Sequence, residues 1–291
     1  MTTDEELISA YLRYLVLQGR SDNTRRVYRG RLVELARLLG SGLLQATPDD
    51  IATWRAGLTV ADPSVLCYAA AVKGFYAWAH SHGHIPANPA MHIPLPRQRQ
   101  RLPRPISDAD LEAAIDQAPA RIRPWLVLAG YAGLRCCEIA RLRRDGIVDT
   151  ASGPALLVLG KGDKERLIPM SPYVWDHLQA AGLPRHGWVF LRRDGRPGHV
   201  PVGTVTADGN AHLRACGIRA TMHQLRHRFG TSAYASSKDI RVVQELMGHS
   251  SPATTALYAA HSNADAVSAV AAIQPSETGR GARPVAGRRV S

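Results

Sequence analysis

Apolar residues recur at helical spacing along the first hundred positions of the chain. The repeat predicts four helices, at 7–17, 27–39, 51–58 and 65–79. The polar run 22–24 offers an N-cap before the second helix, and Gly40 offers a stop after it, because glycine tolerates the left-handed conformation at a helix end. The N-terminal third is therefore expected to be a small helical bundle.

Prolines then replace the helical repeat. Four of them lie between 93 and 106, at Pro94, Pro96, Pro103 and Pro105. Proline disrupts a helix interior and favours an extended chain, so this stretch predicts a linker.

Beyond the linker, the sequence predicts helices followed by a small sheet. A polar run at 107–110 is expected to cap a helix, 124–131 is typical of a buried helix, and 155–159 with 166–170 predict a small sheet. The expected fold is mainly α with a small antiparallel β-sheet, an α+β class. We expect the domains to be 1–92, a linker at 93–106, a second domain at 107–263, and a C-terminal helix and basic tail at 264–291.

Composition and charge limit the classes of function that the chain can have. The chain has 291 residues, 45% hydrophobic content and a formal charge of +12, with a pI near 10.1, which predicts a polyanionic partner. No long apolar run suggests a membrane span, and the acidic N-terminus is unlike a signal peptide. The four cysteines lack C-x-x-C spacing, which favours reduced thiols and a cytoplasmic protein. Such a protein would be nucleoid-associated when it is bound to DNA.

Arginines are concentrated in two places that suit contact with the phosphates of a nucleic acid. Those of the second predicted helix share one face, and those of the linker make a cationic strap. The alternative for the helix is an ordinary solvated face. The residues expected to bind DNA are Arg25, Arg26 and Arg29 (with Arg31 nearby), Arg97, Arg99, Arg101 and Arg104 of the linker, and Lys164.

A separate set of residues suits cleavage of a phosphodiester. Arg135 and Arg226 are expected to clamp the phosphate, since guanidinium groups are rigid, always protonated and bidentate. His223 and His249 are expected to add donors. Tyr258 is the expected nucleophile, with His223 as the expected base; whether His223 or another group takes the phenol proton stays open.

Lysine is rare in this chain, which bears on the general acid. Only four of the 36 cationic residues are lysines, and two of them, Lys161 and Lys164, lie in one predicted hairpin. Arginine effectively never deprotonates, so a leaving oxygen needs an amine to supply its proton. Lys161 is the favoured acid and Lys164 the alternative.

The order and spacing of these residues resemble the tyrosine recombinases, which include phage integrases and Xer-type enzymes. The resemblance rests on G-L-R at 133–135 with Glu138 three residues later, G-K-G-x-K-x-R at 160–166, H-x-x-R at 223–226, G-H at 248–249, and Tyr258 nine residues after His249. It also favours Lys161 over Lys164. Glu138 lies one helical turn after Arg135, so we expect it to pair with Arg135 and to orient it.

The resemblance implies a site-specific recombinase that cleaves and rejoins DNA through a 3′-phosphotyrosine, without cofactor or metal. It implies an N-terminal core-binding domain and a C-terminal catalytic domain on double-stranded DNA core sites. It further implies a homotetramer that passes through a Holliday junction, with the segment from 264 docked in a neighbouring protomer. Docking of that segment in cis is the alternative. Because the core-binding helices begin almost at once, we expect a simple integrase or Xer-like enzyme without an arm-binding domain. The need for an accessory directionality factor stays open.

Other readings of the same residues are weaker. His223 and His227 have a spacing that suits zinc, but Gln224 stands where the zincin pattern has glutamate. Gly160-Lys161 lacks the remaining residues of a phosphate-binding P-loop. A catalytically silent DNA-binding or architectural protein and a type IB topoisomerase-like enzyme are the alternative functions. Tyr131, Tyr173 and Tyr234 are expected to be packing residues.

Overall fold

The computed structural model describes residues 3–96, 104–160, 165–248 and residue 255. The chain divides into two compact units, Met1–Gln100 and Arg101–Ser291. None of the helices in these described stretches is long and apolar enough to cross a membrane.

The first unit is helical, as its hydrophobic repeat predicts. It contains α1 (Asp4–Leu17), α2 (Asp22–Leu39), α3 (Pro48–Ala56) and α4 (Asp62–Ser81), with a short 3₁₀ turn at Leu43–Gln45. All four predicted helices are confirmed.

The ends of α2 follow the expected chemistry with one correction. The N-cap is Ser21, whose hydroxyl accepts a hydrogen bond from the Thr24 amide, so the run 22–24 lies inside the first turn. Gly40 ends the helix in the left-handed conformation, as predicted. The prediction was one residue late because serine, aspartate and asparagine all suit an N-cap, and only the backbone shows which of them precedes the helix.

Buried aromatic and aliphatic side chains of α1, α2 and α4 form the core of the first unit. Leu7, Leu32 and Phe75 are fully buried, and the ring of Phe75 meets Tyr11 edge-on at 5.6 Å between centroids. The buried Tyr76 hydroxyl donates to the Leu43 carbonyl at 3.0 Å, so this polar group is satisfied within the core.

The second unit combines helices with a small sheet. Its elements are α5 (Asp108–Asp116), α6 (Arg123–Tyr131), α7 (Cys136–Ala140), β1 (Ile147–Thr150), β2 (Gly153–Leu159), β3 (Glu165–Pro169), α8 (Pro172–Ala180), α9 (Val202–Ala215), α10 (Met222–Ser237) and α11 (Ile240–Met247). Ser107 caps α5, as predicted, by accepting from the Asp110 amide. The predicted α+β class is confirmed.

The sheet is antiparallel in the order β1-β2-β3. Leu159, the last residue of β2, pairs with Glu165, the first residue of β3, and residues 160–164 connect these two positions in sequence. The strand β1 was missed in the sequence, because Ile147 is its one buried residue and four residues with one buried position show no alternating pattern.

The helix α6 lies at the centre of the second unit. Trp125, Leu126 and Leu128 on this helix are buried, and α5, α8 and α10 pack around it. The prediction of a buried helix is confirmed. The position of α6 matters for the site, because the turn that follows it carries Arg135.

Candidate active site

A tight turn after α6 delivers Arg135 to the start of α7. Gly133 has a φ of +66°, and a Cβ atom there would collide with the ring of Phe229 on α10. Only glycine satisfies both conditions without strain. Leu134 is buried and anchors the turn, and Arg135 is the residue that precedes the first turn of α7.

Glu138, one helical turn later, is a buried carboxylate that holds Arg135. The Arg135 backbone amide donates to one carboxylate oxygen and its guanidinium donates to the other, each at 2.8 Å. The side chain of Glu138 is only 3% exposed, against 33% for Arg135. The backbone and the guanidinium of Arg135 are therefore held by Glu138, while part of its side chain faces solvent.

Two more arginines surround the same carboxylate. Arg166 of β3 donates to both oxygens of Glu138, at 2.9 and 2.8 Å, and the guanidinium of Arg226 on α10 lies 3.6 Å away. We refer to Arg135, Arg166 and Arg226 together as the arginine cluster. Three guanidiniums around one carboxylate leave a net positive charge, which suits an anionic ligand.

The pKa of Glu138 reflects this environment. Burial by itself would raise that pKa, but hydrogen bonds and charge from Arg166, the Arg135 amide and the charge of Arg226 hold it below the ordinary value. Glu138 is therefore ionised at neutral pH and acts as a permanent anchor for the cluster.

The arginine cluster also caps the C-terminal end of α11. Arg166 donates to the Leu246 carbonyl at 2.9 Å, Arg226 donates to the Met247 carbonyl, and Arg135 donates to the Gly248 carbonyl at 3.2 Å. The last carbonyls of a helix lack partners within the helix and carry partial negative charge, so cations at this end are stabilising. Three segments distant in sequence thus meet at one helix end.

The helix α10 places His223 and Arg226 on one face. Arg226 is buried, its side chain only 2% exposed, and it also donates to the Gly133 carbonyl below the Arg135 turn. His223 stands one turn earlier and is exposed. Arg135, Arg226 and His223 are therefore brought together, although two different parts of the chain supply them.

The imidazole of His227 packs against that of His223. The two rings are 4.4 Å apart between centroids and nearly perpendicular. Burial, His223 and Arg226 lower the pKa of His227 to about 4, while partial burial and the charges of Arg226 and Arg135 lower the pKa of His223. Both rings are therefore neutral at pH 7, the form in which His223 can accept a proton.

Within the described stretches of the chain, no three histidine, cysteine, aspartate or glutamate side chains are grouped so that they could hold an ion. The positive charge of Arg226 acts on both imidazoles, which opposes the binding of a metal cation between them.

Several predicted residues lie outside the described residues. These are Lys161, Lys164, His249 and Tyr258 of the cleavage set, and Arg97, Arg99 and Arg101 of the linker. Their roles stay predictions. In sequence, His249 directly follows Gly248, whose carbonyl accepts from Arg135.

The predicted DNA-binding arginines of α2 all have partners within the first unit. Arg25 pairs with Asp22, Arg26 donates to Asn23 at 2.8 Å, Arg29 lies 3.2 Å from Glu5, and Arg31 lies 2.7 Å from Glu34. Arg31 differs from the others, since its guanidinium also lies over the Tyr68 ring at 4.1 Å. Surface pairs of this kind contribute little, about 0–1 kcal/mol each, so a phosphate can replace the local partner.

Arg104 is the one linker arginine within the described residues. It is exposed, and its backbone carbonyl accepts a hydrogen bond from Gln224 of α10 at 2.9 Å. This bond attaches the start of the second unit to the helix that carries His223 and Arg226.

One residue of the site was not singled out in the sequence. Arg166 was noted only as the last residue of the G-K-G-x-K-x-R pattern. The pattern draws attention to this arginine, but it does not indicate the partner, because Glu138 lies 28 positions earlier in the chain.

Family profiles and named relatives cover most of the chain. The profile of the phage integrase family matches residues 107–265, and that of the phage integrase N-terminal SAM-like domain matches residues 8–83. Tyrosine recombinase XerC of Xylella fastidiosa (strain 9a5c) is 32% identical, over 87% of this chain and 91% of its own length. Tyrosine recombinase XerD of Pseudomonas aeruginosa is 31% identical, over 88% of this chain and 93% of its own.

A solved structure supports the fold. The lambda integrase tetramer bound to a Holliday junction is similar with a TM-score of 0.66 at 19% identity, over 87% of this chain and 79% of that one. At this identity the likeness concerns the fold alone. The family profile and these relatives show a DNA strand-exchange enzyme of the tyrosine recombinase class. The chain belongs to the phage integrase family, and the two relatives described above are XerC and XerD recombinases, which confirms the family expected from the motifs.

Proposed function

We propose that this chain cleaves and rejoins double-stranded DNA at specific core sites through a 3′-phosphotyrosine at Tyr258. The observation that carries the proposal is the convergence of Arg135 and Arg226 at the end of α11, which in sequence immediately precedes His249 and Tyr258. His223 lies one turn from Arg226 on α10, where the charges of both arginines act on it. Two guanidiniums at one place suit the charge that builds on a phosphate under attack.

In the proposed reaction, the Tyr258 oxygen attacks phosphorus and the bond to the 5′ oxygen breaks. His223, neutral at pH 7, takes the phenol proton, and Lys161 supplies a proton to the departing 5′ oxygen. Arg135 binds a non-bridging oxygen from its solvent-facing side, and Arg226 binds one by exchanging the Met247 carbonyl for the phosphate, with His249 as a further donor. Rejoining reverses these steps with a different 5′ hydroxyl, so no nucleotide cofactor is needed.

The proposed organisation follows the sequence boundaries. Residues 1–92 would bind the core site, with Arg25, Arg26 and Arg29 against phosphates, 93–106 would be the linker, and 107–263 would carry the chemistry. We propose a homotetramer on two synapsed sites, with a Holliday junction as intermediate, by analogy with the lambda integrase assembly. An accessory directionality factor is a further possible partner. The proposed location is the cytoplasm, at the nucleoid, since the substrate is duplex DNA.

A covalent-adduct assay tests the nucleophile. Duplexes bound by the protein are selected from a randomised pool, rebuilt as nicked suicide substrates, and analysed on denaturing gels. We expect an adduct with the wild type and with Tyr173→Phe, and none with Tyr258→Phe. Tyr173 is a suitable control because its ring packs on Tyr131, 4.8 Å between centroids, and neither tyrosine belongs to the cleavage set.

The alternatives predict different results. A silent DNA-binding protein would bind the selected duplex without any adduct, and a type IB topoisomerase-like enzyme would relax supercoiled DNA regardless of sequence. An adduct that persists in Tyr258→Phe would refute the assignment of the nucleophile.

A further inference from the structure

We infer that a cleft in the first unit binds a backbone phosphate of the DNA duplex, with Arg20 and the Tyr11 hydroxyl as donors. The cleft has a volume of about 340 Å³ and lies between α1, α2 and α4. We call it the Tyr11 cleft, and its lining includes Tyr11, Tyr14, Arg20, Tyr28, Gly74 and Trp78. The inference rests on the proposed function for one point, that the bound polyanion is DNA.

The hydroxyl of Tyr11 is a buried donor without a protein partner. Tyr11 is only 2% exposed, and its hydroxyl forms no hydrogen bond with a described residue. Among the described residues, the side-chain polar atom that lacks both solvent and a partner is Trp125 Nε1, so the Tyr11 hydroxyl still reaches solvent. Because Tyr11 lines the cleft, we place that contact with solvent inside the cleft. Buried hydroxyls are normally satisfied, so this one indicates a ligand.

Small residues of α4 hold this hydroxyl at the floor of the cleft. A Cβ atom on Gly74 would collide with the Tyr11 hydroxyl and would lie 4.0 Å from the Tyr28 ring. Ala70, Gly74 and Ala77 all line the cleft, and their spacing places them on one face of α4. This stretch of the helix therefore carries no side chain larger than a methyl group, which lets a phosphodiester approach closely.

The charge of the cleft suits an anion. Arg20 is exposed, and its guanidinium makes no ion pair or hydrogen bond with a described residue. Its backbone amide donates to the Leu15 carbonyl at 2.9 Å, which fixes the chain at the end of α1. No aspartate or glutamate belongs to the described lining of the cleft. The walls therefore offer donors and positive charge without a competing carboxylate.

The phenol of Tyr11 is in the form that can donate. Burial and the nearby Tyr28 raise the pKa of Tyr11, while the charge of Arg20 acts in the opposite direction. The phenol is therefore protonated at pH 7, and it lies within the field of the guanidinium. A hydroxyl donor beside a guanidinium suits a phosphate oxygen, because hydrogen bonds to a charged acceptor are the stronger ones.

Arg20 differs from the arginines predicted to bind DNA on α2. Arg25, Arg26 and Arg29 each have a polar partner in the first unit, which a phosphate would have to displace. Arg20 has no such partner among the described residues. Its contact with a backbone phosphate would fix the position of the first unit on the duplex without reading the base sequence.

The first measurement is the affinity of the full chain for the selected duplex, by fluorescence anisotropy at several salt concentrations. We expect Arg20→Gln to weaken binding about 10-fold and to reduce the slope of log affinity against log salt by about 0.9, the value of one phosphate contact. Tyr11→Phe should weaken binding about fivefold, since it removes one donor to a charged acceptor. Both factors should be the same on an unrelated duplex, because a backbone contact does not depend on sequence.

Two matched variants control for charge and for loss of a hydroxyl. Arg13 is exposed on the far side of α1 from Tyr11, since two residues turn a helix by about 200°, and Arg13→Gln should change affinity by less than about twofold. The Tyr76 hydroxyl donates to the Leu43 carbonyl, so Tyr76→Phe should lower the melting temperature by about 4 °C and leave DNA affinity unchanged. Equal losses of affinity in Arg13→Gln and Arg20→Gln, or full affinity in Tyr11→Phe, would overturn the inference.

Single neutral phosphates identify the contact directly. Each phosphate of the duplex is replaced in turn by an uncharged methylphosphonate, and the affinity is measured for the wild type, Arg20→Gln and Arg13→Gln. At one phosphate, the loss seen with the wild type should disappear in Arg20→Gln and persist in Arg13→Gln, because two changes to one contact are not additive. A pattern of losses that is the same in all three proteins would contradict the contact.

A free nucleotide is the other source of the same phosphate chemistry. Isothermal titration with adenosine monophosphate and with inorganic phosphate tests it. Binding of either that Tyr11→Phe abolishes, with DNA affinity unchanged in that variant, would overturn the assignment to the DNA backbone. The recombinase proposal fails separately, if the wild type binds the duplex but forms no adduct, and the affinity measurements would then still decide the inference.

Discussion

Replacement of Glu138 by glutamine tests whether the arginine cluster depends on this buried carboxylate. The substitution keeps the size of the side chain and removes its charge. The carboxylate accepts four hydrogen bonds at 2.8–2.9 Å, two from Arg135 and two from Arg166, and it lies 3.6 Å from Arg226. In Glu138→Gln, three guanidiniums would remain close together without a counter-ion.

The expected cost follows from these contacts. Removal of one partner of a buried ion pair destabilises by about 3–5 kcal/mol. Arg135 is partly exposed and water can solvate it, so we expect the lower end, about 3 kcal/mol. For a unit of this size, that corresponds to a fall in melting temperature of about 6–12 °C. Glu112→Gln, on the exposed side of α5, should change stability by less than about 0.5 kcal/mol.

The pH dependence gives the sharper measurement. The pKa of Glu138 is lowered in the folded state, so its stabilising contribution is present above the ordinary value of 4.5 and is lost as pH falls through the folded pKa. Urea unfolding from pH 7 down to about pH 3 should therefore show the gap between wild type and Glu138→Gln closing only at the acid end. A gap that is independent of pH, or a variant as stable as the wild type, would refute the reasoning.

Two further predictions concern the turn and the histidines. Gly133→Ala should destabilise the protein by about 2–4 kcal/mol in urea unfolding, because alanine at a positive φ is strained and its methyl group would meet Phe229. Gly182→Ala has a positive φ but open space around it, so it should cost only about 1–2 kcal/mol. Equal costs for the two variants would show that the contact with Phe229 does not matter. Because the pKa of His223 is lowered and that of His227 falls to about 4, single-turnover cleavage should stay level from about pH 7.5 to pH 6, where an ordinary imidazole would already take up a proton. A fall in rate centred at or above pH 6.5 would contradict a neutral His223 with a lowered pKa.

Much of the secondary structure could be predicted from the sequence, because it depends on neighbouring residues. Helical spacing of apolar side chains marked the helices of the first unit, and Gly40 and Ser107 marked helix ends by local backbone chemistry. The strand β1 escaped prediction, since a short strand with one buried residue has no period to detect. Its existence depends on pairing with β2, which is a tertiary contact.

For the candidate site, too, some features could be predicted from the sequence and others could not. The types, order and spacing of residues such as Arg135, His223 and Arg226 already indicated a phosphodiester chemistry and a family, because those features are written in the chain. The sequence also suggested Glu138 as the partner of Arg135, since residues three apart on a helix are neighbours.

Only the tertiary structure decided how the segments are held together. Spacing says nothing about which distant side chains share a partner, so neither the meeting of three arginines at Glu138 nor their bonds to the last carbonyls of α11 was predictable. The low pKa of His227 likewise depends on burial and on the adjacent ring. The sequence by itself determined which groups are available for the reaction. The fold decided that Arg166 joins them, because a buried carboxylate needs partners that only chain packing can bring.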